Sequence, residues 1–89
     1  MKSRRNKTFK DLLASLPIDV KRQAYAAYRQ FKRDPYHVSL QFKRVSQRRA
    51  LYSVRIGSSH RALGIREADD LIVWIWIGTH AEYDKLLSR

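Results

Sequence analysis

The chain contains no cysteine. Disulfide bonds, thiolate catalysis and Cys-based zinc sites are therefore excluded, which fits a reducing compartment. Only three histidines are present, and their spacing does not match a metal-ligand pattern. Three glycines and two prolines leave no glycine-rich phosphate loop and no Pro/Gly-rich linker. The one Gly-x-Ser, at Gly57, does not sit on a nucleophile elbow. The longest apolar run is too short to cross a bilayer. The basic start, KSRRNK, leads into Lys10 and Asp11 rather than a signal-peptide core. These absences describe a soluble cytoplasmic protein with no membrane partner. Acidic residues are also scarce, at 8 Asp/Glu against 19 Lys/Arg.

The charge is uneven along the 89 residues. Residues 1–66 hold 17 Lys/Arg against 3 Asp/Glu (+14), and residues 67–89 hold 2 against 5 (−3), giving +11 overall. A field of this size favours a polyanion, either nucleic acid or an acidic protein. Ordinary solvated surface charge is the bland alternative. An apolar fraction of 44% with two tryptophans and five tyrosines indicates a folded chain rather than a disordered one. The length suits one domain, residues 1–89, with a modest core.

The chain is organised around DLIVWIWIGTHAEY, residues 70–83. Seven large apolar residues, Leu71 to Ile77, include β-branched and aromatic types throughout and predict a central strand buried on both faces. Gly78 ends the run. Thr79-His80-Ala81-Glu82 has the form of a capping box, which places His80 and Tyr83 in the first turn of a C-terminal helix. Free amides and the helix dipole make such a place attractive to anions.

Upstream, residues 1–7 are a frayed arm or at most a short edge strand. Thr8 to Asp11 is a second capping-box pattern, predicting a helix over residues 8–16 that Pro17 stops. Val20, Ala24, Ala27, Tyr28 and Phe31 form an apolar stripe on a second helix, which Asp34-Pro35 ends. Lys21, Arg22, Arg29, Lys32 and Arg33 occupy much of its remaining surface. The period then changes. Residues 40–45, 51–56 and 60–66 alternate and predict antiparallel strands, with a turn at Gly57-Ser58-Ser59. The expected architecture is α+β: an N-terminal helical hairpin packed on a small antiparallel β-sheet of about four strands, with a short C-terminal helix.

In order, size and motif the chain resembles the RelE/ParE superfamily of toxin–antitoxin proteins. The similarity rests on the two-helix start, on YSVRIGSSHRALGI (Tyr52 to Ile65) and on WIGTHAEYDKLL (Trp76 to Leu87). Arg55-Ile56-Gly57-Ser58-Ser59-His60-Arg61 looks like the family's arginine–glycine hairpin. The segment from Gly78 to Tyr83 looks like its terminal glycine, basic or histidine, tyrosine element. The resemblance implies a RelE-like toxin. One branch consists of ribosome-dependent endoribonucleases that cut messenger RNA. The ParE branch shares the fold and poisons DNA gyrase without that chemistry, and some relatives of the fold have lost activity. Three residues carry over as catalytic. Arg61 matches the hairpin arginine that faces the scissile phosphate. His80 matches a position that is basic in RelE and histidine in the YafQ-like branch. Tyr83 matches the aromatic that stacks on a base or contacts phosphate. The family's first strand looks cut short or missing, and its basic run after the last strand is reduced to His80. The implied partners are a small acidic antitoxin and the ribosome with its messenger RNA.

The chemistry needs no metal or cofactor. The RNA 2′-hydroxyl attacks its own phosphate, given a base, an acid and positive charge. Histidine is the natural proton carrier near neutrality. Besides His80, Tyr83 and Arg61, the candidates for nucleic-acid contact are Lys43, Arg44, Arg48, Arg49, Arg55 and His60. Each has a plainer alternative. His80 and His60 would be surface residues. Tyr83 would pack on Trp74 or Trp76, and Arg61 would pair with Glu67 or Asp69 across the hairpin.

Overall fold

The computed structural model describes residues 1–88. Its elements are β1 (Lys2–Arg5), α1 (Lys7–Ala14), α2 (Ile18–Arg33), β2 (Lys43–Arg44), β3 (Leu51–Ile56), β4 (His60–Ala68), β5 (Leu71–Thr79) and α3 (His80–Leu87). One five-stranded sheet has the order β1-β5-β4-β3-β2. The expected α+β architecture is present with one more strand. The N-terminal residues do form an edge strand, and β1 runs parallel to β5, with Lys2 opposite Leu71 and Arg5 opposite Trp74. The sheet is therefore mixed rather than wholly antiparallel. The family's first strand is short here but not missing.

The first helix begins at Lys7, ahead of the predicted Thr8 cap. The Asn6 amide donates to the Trp74 carbonyl, ending the β1 ladder, and the Asn6 side-chain oxygen accepts from the Phe9 amide at 2.9 Å. Asn6 thus closes the strand and caps the helix, while Asp11 pairs with Lys7 instead of serving a Thr8 box. The second helix ends at Arg33, beside Asp34-Pro35, as the sequence indicates. Between Pro35 and β2 the predicted strand is replaced by a 3₁₀ turn at Val38–Leu40, leaving a two-residue β2. Leu40 is buried, and Gln41 turns the backbone with φ 46°, so the strand cannot start before it.

Both N-terminal helices pack on one face of the sheet. The core there joins Phe9, Leu13, Ala24 and Phe31 of the helices to Val54, Ile56, Ala62, Ile72, Trp74 and Ile77 of the strands. Helix α2 turns Arg22, Arg29, Lys32 and Arg33 to solvent. The opposite face of the sheet is covered only in part, by α3. Val73 and Ile75 on β5 are half-buried, so the expectation of a strand buried on both faces fails along its first part. Leu63 pairs with Trp76, whereas Gly64 pairs with Trp74, leaving Ile75 as an extra residue. This bulge shifts the alternation, so Ile72, Trp74 and Ile77 all reach the core while Trp76 does not.

Gly64 lies under this packing. A Cβ there would stand 2.7 Å from the Trp74 ring and 2.8 Å from Ile72, which is fully buried. Neither neighbour has room to retreat. Gly64→Ala is expected to cost about 1–3 kcal/mol by overpacking. Chemical denaturation of the two proteins measures the difference.

Candidate nucleic-acid cleft

Strands β3 and β4 meet in a tight hairpin at Gly57, whose φ of +57° places it in the left-handed region that suits glycine. In the ladder Arg55 stands directly opposite Arg61, and Arg61 in turn stands opposite Gly78 of β5. A Cβ on Gly78 would stand 2.5 Å from the Trp76 ring and 3.0 Å from the Glu82 carboxylate. Helix α3 crosses this face, and its Tyr83 ring lies 5.3 Å from the Arg61 guanidinium. A polar cleft opens here, lined by Gln41, Arg55, Ser58, His60, Arg61 and His80.

Arg61 is 6% exposed. Its Nη1 donates to Ser53 Oγ at 3.0 Å and its Nη2 to Gln41 Oε1 at 2.7 Å. Both acceptors are neutral. Among the described residues the ion pairs are Met1 amino to Asp70, Lys7 to Asp11 and His80 to Asp84, and none includes Arg55 or Arg61. The pairing of Arg61 with Glu67 or Asp69 considered from sequence does not form. Like charges directly opposite in a ladder are destabilising, and a buried cation without a counter-ion is costly. Arg55 eases its own position by donating Nε to the Gly57 carbonyl at 2.8 Å.

His80 opens α3 and is exposed. Its Nδ1 is 3.1 Å from Asp84 Oδ2, one helical turn on. An ionised carboxylate only accepts, so this contact places the proton on Nδ1 and leaves Nε2 to act. The His80 ring also meets the edge of Tyr83, with centroids 5.8 Å apart. His60, half-buried, contacts Ser59 Oγ through Nδ1 at 2.9 Å.

The helix start itself is not free. Thr79 Oγ1 accepts from the Glu82 amide at 3.1 Å, the Glu82 carboxylate accepts from the Thr79 amide at 2.9 Å, and the His80 amide donates to the Ser59 carbonyl at 2.9 Å. The predicted capping box is present, and it uses up amides that the sequence reading left open for an anion. Positive potential in the cleft therefore comes from side chains rather than the helix terminus.

The structure brings together Arg55, His60, Arg61 and His80, with Tyr83 beneath them. Tyr83 is 6% exposed and packs on Arg61 and His80. Lys43 stands opposite Ser53, so it shares the sheet face of Arg61 at the β2 edge. Arg44, Arg48 and Arg49 do not line the cleft. Arg44 is opposite Tyr52, and its Nε donates to the Ser46 and Arg49 carbonyls. Gln41, Ser53 and Asp84 were not singled out from sequence. Ser53 alternates with Arg55 on the polar side of β3, a faint signal. Gln41 lies twenty residues from the arginine it holds, and nothing local marks it. Among the described residues no three His, Asp or Glu side chains gather as metal ligands.

Known proteins share the fold. A family model described as ParE-like toxin domain matches residues 19–85. The toxin–antitoxin complex RelB–RelE from Methanococcus jannaschii contains a similar fold, with TM-score 0.73 at 14% identity over 93% of this chain and 96% of that one. A YoeB/ParE toxin from Agrobacterium tumefaciens gives TM-score 0.69 at 16% identity, over 90% and 99% of the two chains. A copper-bound mutant toxin from Helicobacter pylori gives 0.58 at 18%, over 92% and 97%. No curated protein sequence matches.

Hydrogen bonds from Thr79 hold the Glu82 carboxyl below its ordinary value of 4.5. A lowered carboxyl stabilises the fold fully above its unfolded pKa, and that contribution is lost as pH falls through the folded value. Thermal melts of the wild type and Glu82→Ala should therefore differ most above pH 4.5 and converge as the solution is acidified below it.

Proposed function

This chain belongs to the ParE-like toxin domain family, within the RelE/ParE superfamily, and from that premise we propose that it is a ribosome-dependent endoribonuclease that cleaves messenger RNA without a metal. The carrying observation is the opposed Arg55–Arg61 pair, which has no carboxylate partner among the described residues and borders a cleft with two imidazoles. A phosphodiester in that cleft supplies the missing negative charge. Arg61 offers a rigid fork for its oxygens and for the charge that grows on the pentavalent centre.

In the proposed reaction the RNA 2′-oxygen bonds to the adjacent phosphorus and the bond to the 5′-oxygen breaks. One proton leaves the 2′-hydroxyl and one reaches the 5′-oxygen, giving a cyclic phosphate and a free 5′-hydroxyl. His80 and His60 are the imidazoles of the cleft, the side-chain type suited to general acid–base work, so proton transfer falls to them. His80 is the better placed, because Asp84 on Nδ1 leaves Nε2 available. Tyr83 supports Arg61 from below and meets the edge of His80.

The partner we propose is a small acidic antitoxin that masks the basic region in the cell, which is taken to be the cytoplasm. Charge complementarity supports it, as does the fold shared with a chain from an antitoxin–toxin complex. Lys43, Arg44, Arg48 and Arg49 form an exposed basic edge suited to ribosomal RNA.

Purified protein added to a translation reaction should cut the translated message. His80→Ala should slow cutting by about 10²–10⁴-fold, and Tyr83→Ala should slow it too by loosening Arg61. Unchanged cleavage in both variants rules out this site. The matched family is described as ParE-like, which favours a second reading, a non-catalytic toxin acting on DNA gyrase. That reading predicts inhibition of supercoiling that survives His80→Ala, with no RNA cut.

A further inference from the structure

Gln41 closes the 3₁₀ turn as its left-handed cap, its amide donating to the Val38 carbonyl, and it also reaches into the cleft. Its φ of 46° makes it the sole non-glycine residue with positive φ among those described. Such a conformation is unfavourable for a residue with a Cβ. Its neighbours on both sides are anchored. Leu40 is 2% exposed in the core. Phe42 packs between Phe31 and Tyr52, with centroids 5.2 and 5.0 Å away. The backbone between these anchors is forced into the left-handed region, and the side chain is carried to the cleft. There its carbonyl oxygen meets Arg61 Nη2 at 2.7 Å.

The chemistry of the acceptor matters. Glutamate has the same length and would give the buried guanidinium a counter-ion. Glutamine gives it a hydrogen bond and leaves its charge uncancelled. We propose that Gln41 is a positioning residue that acts through Arg61: a neutral acceptor that fixes the guanidinium while keeping it available to a phosphodiester oxyanion. This inference rests on the nucleic-acid reading of the cleft. It concerns how the cation is kept ready, whichever step follows binding.

The consequence is a pair of opposite effects from one substitution. Gln41→Glu places a carboxylate against a buried arginine, so the protein should melt at a higher temperature. The same carboxylate occupies the charge that binds phosphate, so affinity for nucleic acid should fall. A residue with a merely structural role would not move stability and affinity in opposite directions.

The probe is a short single-stranded RNA carrying 2′-O-methyl groups, which cannot be cut by 2′-hydroxyl attack. Fluorescence anisotropy at fixed salt gives affinity, and thermal unfolding gives stability. Arg61→Met sets the share of binding that the cleft provides. Ala14→Glu, exposed on α1 and lining no part of the cleft, makes the same change in net charge. Gln41→Glu should melt higher than the wild type and bind at least tenfold more weakly, as weakly as Arg61→Met, while Ala14→Glu binds within about twofold of the wild type. Gln41→Glu that binds like the wild type while Arg61→Met binds weakly overturns the role of Gln41 and leaves the cleft reading standing. A lowered melting temperature for Gln41→Glu also overturns it. Wild type and Arg61→Met binding alike removes the cleft as the nucleic-acid site, and this inference with it.

Discussion

The ladder between β4 and β5, where a register shift leaves Ile75 as an extra residue, is the constraint on which the molecule depends. Regular alternation would send residues 72, 74 and 76 to one face. The bulge breaks that sequence after Trp74, so Ile77 takes the core position and Trp76 moves to the other side. Two consequences follow together. The helix-facing core gains a close-packed set in which Phe31 meets Trp74 edge-on at 5.3 Å. On the opposite face Gly78 comes level with Arg61. A Cβ on Gly78 would lie 2.5 Å from the Trp76 ring, so the displaced tryptophan also fixes why a glycine stands there.

The sheet thus separates two kinds of work. Its helix face buries apolar side chains and supplies most of the stabilisation. Its other face carries features that oppose stability: a like-charged cross-strand pair, a buried cation on neutral acceptors and a residue held at positive φ. Unfavourable local features of this kind persist only when surrounding packing over-determines them. Here they concentrate in one cleft.

Much of this was legible in the sequence because it is local. The apolar run from Leu71 to Ile77, the Thr79–Glu82 box, the stripe on α2 and the hairpin at Gly57 are each encoded within a few residues. They placed His80, Tyr83, Arg55, His60 and Arg61 on the right elements. What the sequence concealed is non-local. The bulge at Ile75 depends on how two strands share a core, and no residue type announces it. The pairing of β1 with β5 spans nearly the whole chain, and KSRR carries no strand signal of its own. The Thr8 pattern was outcompeted by Asn6 because the β1 ladder ends at Asn6. The partners of Arg61, Ser53 and Gln41, come from two different segments.

The charge pattern needs the same distinction between composition and place. A net +11 says that a polyanion is favoured and nothing about where it sits. Helix α2 carries exposed Arg22, Arg29, Lys32 and Arg33 on one side of the sheet, while Arg55 and Arg61 lie on the other. Exposed lysines and arginines on a helix keep their hydration, so their pull on an anion is long-ranged and screened by salt. Arg61 has already given up its water, and the cost of burying it is borne by the fold before any ligand arrives. An anion reaching Arg61 meets a cation that needs no further desolvation and cannot reorient, because Tyr83, Ser53 and Gln41 hold three sides of it. Such a group is worth more to a developing negative charge than a mobile surface arginine. In the proposed function the outer arginines and the inner one therefore differ in kind: the first would gather a polyanion, and the second would fix one phosphate of it.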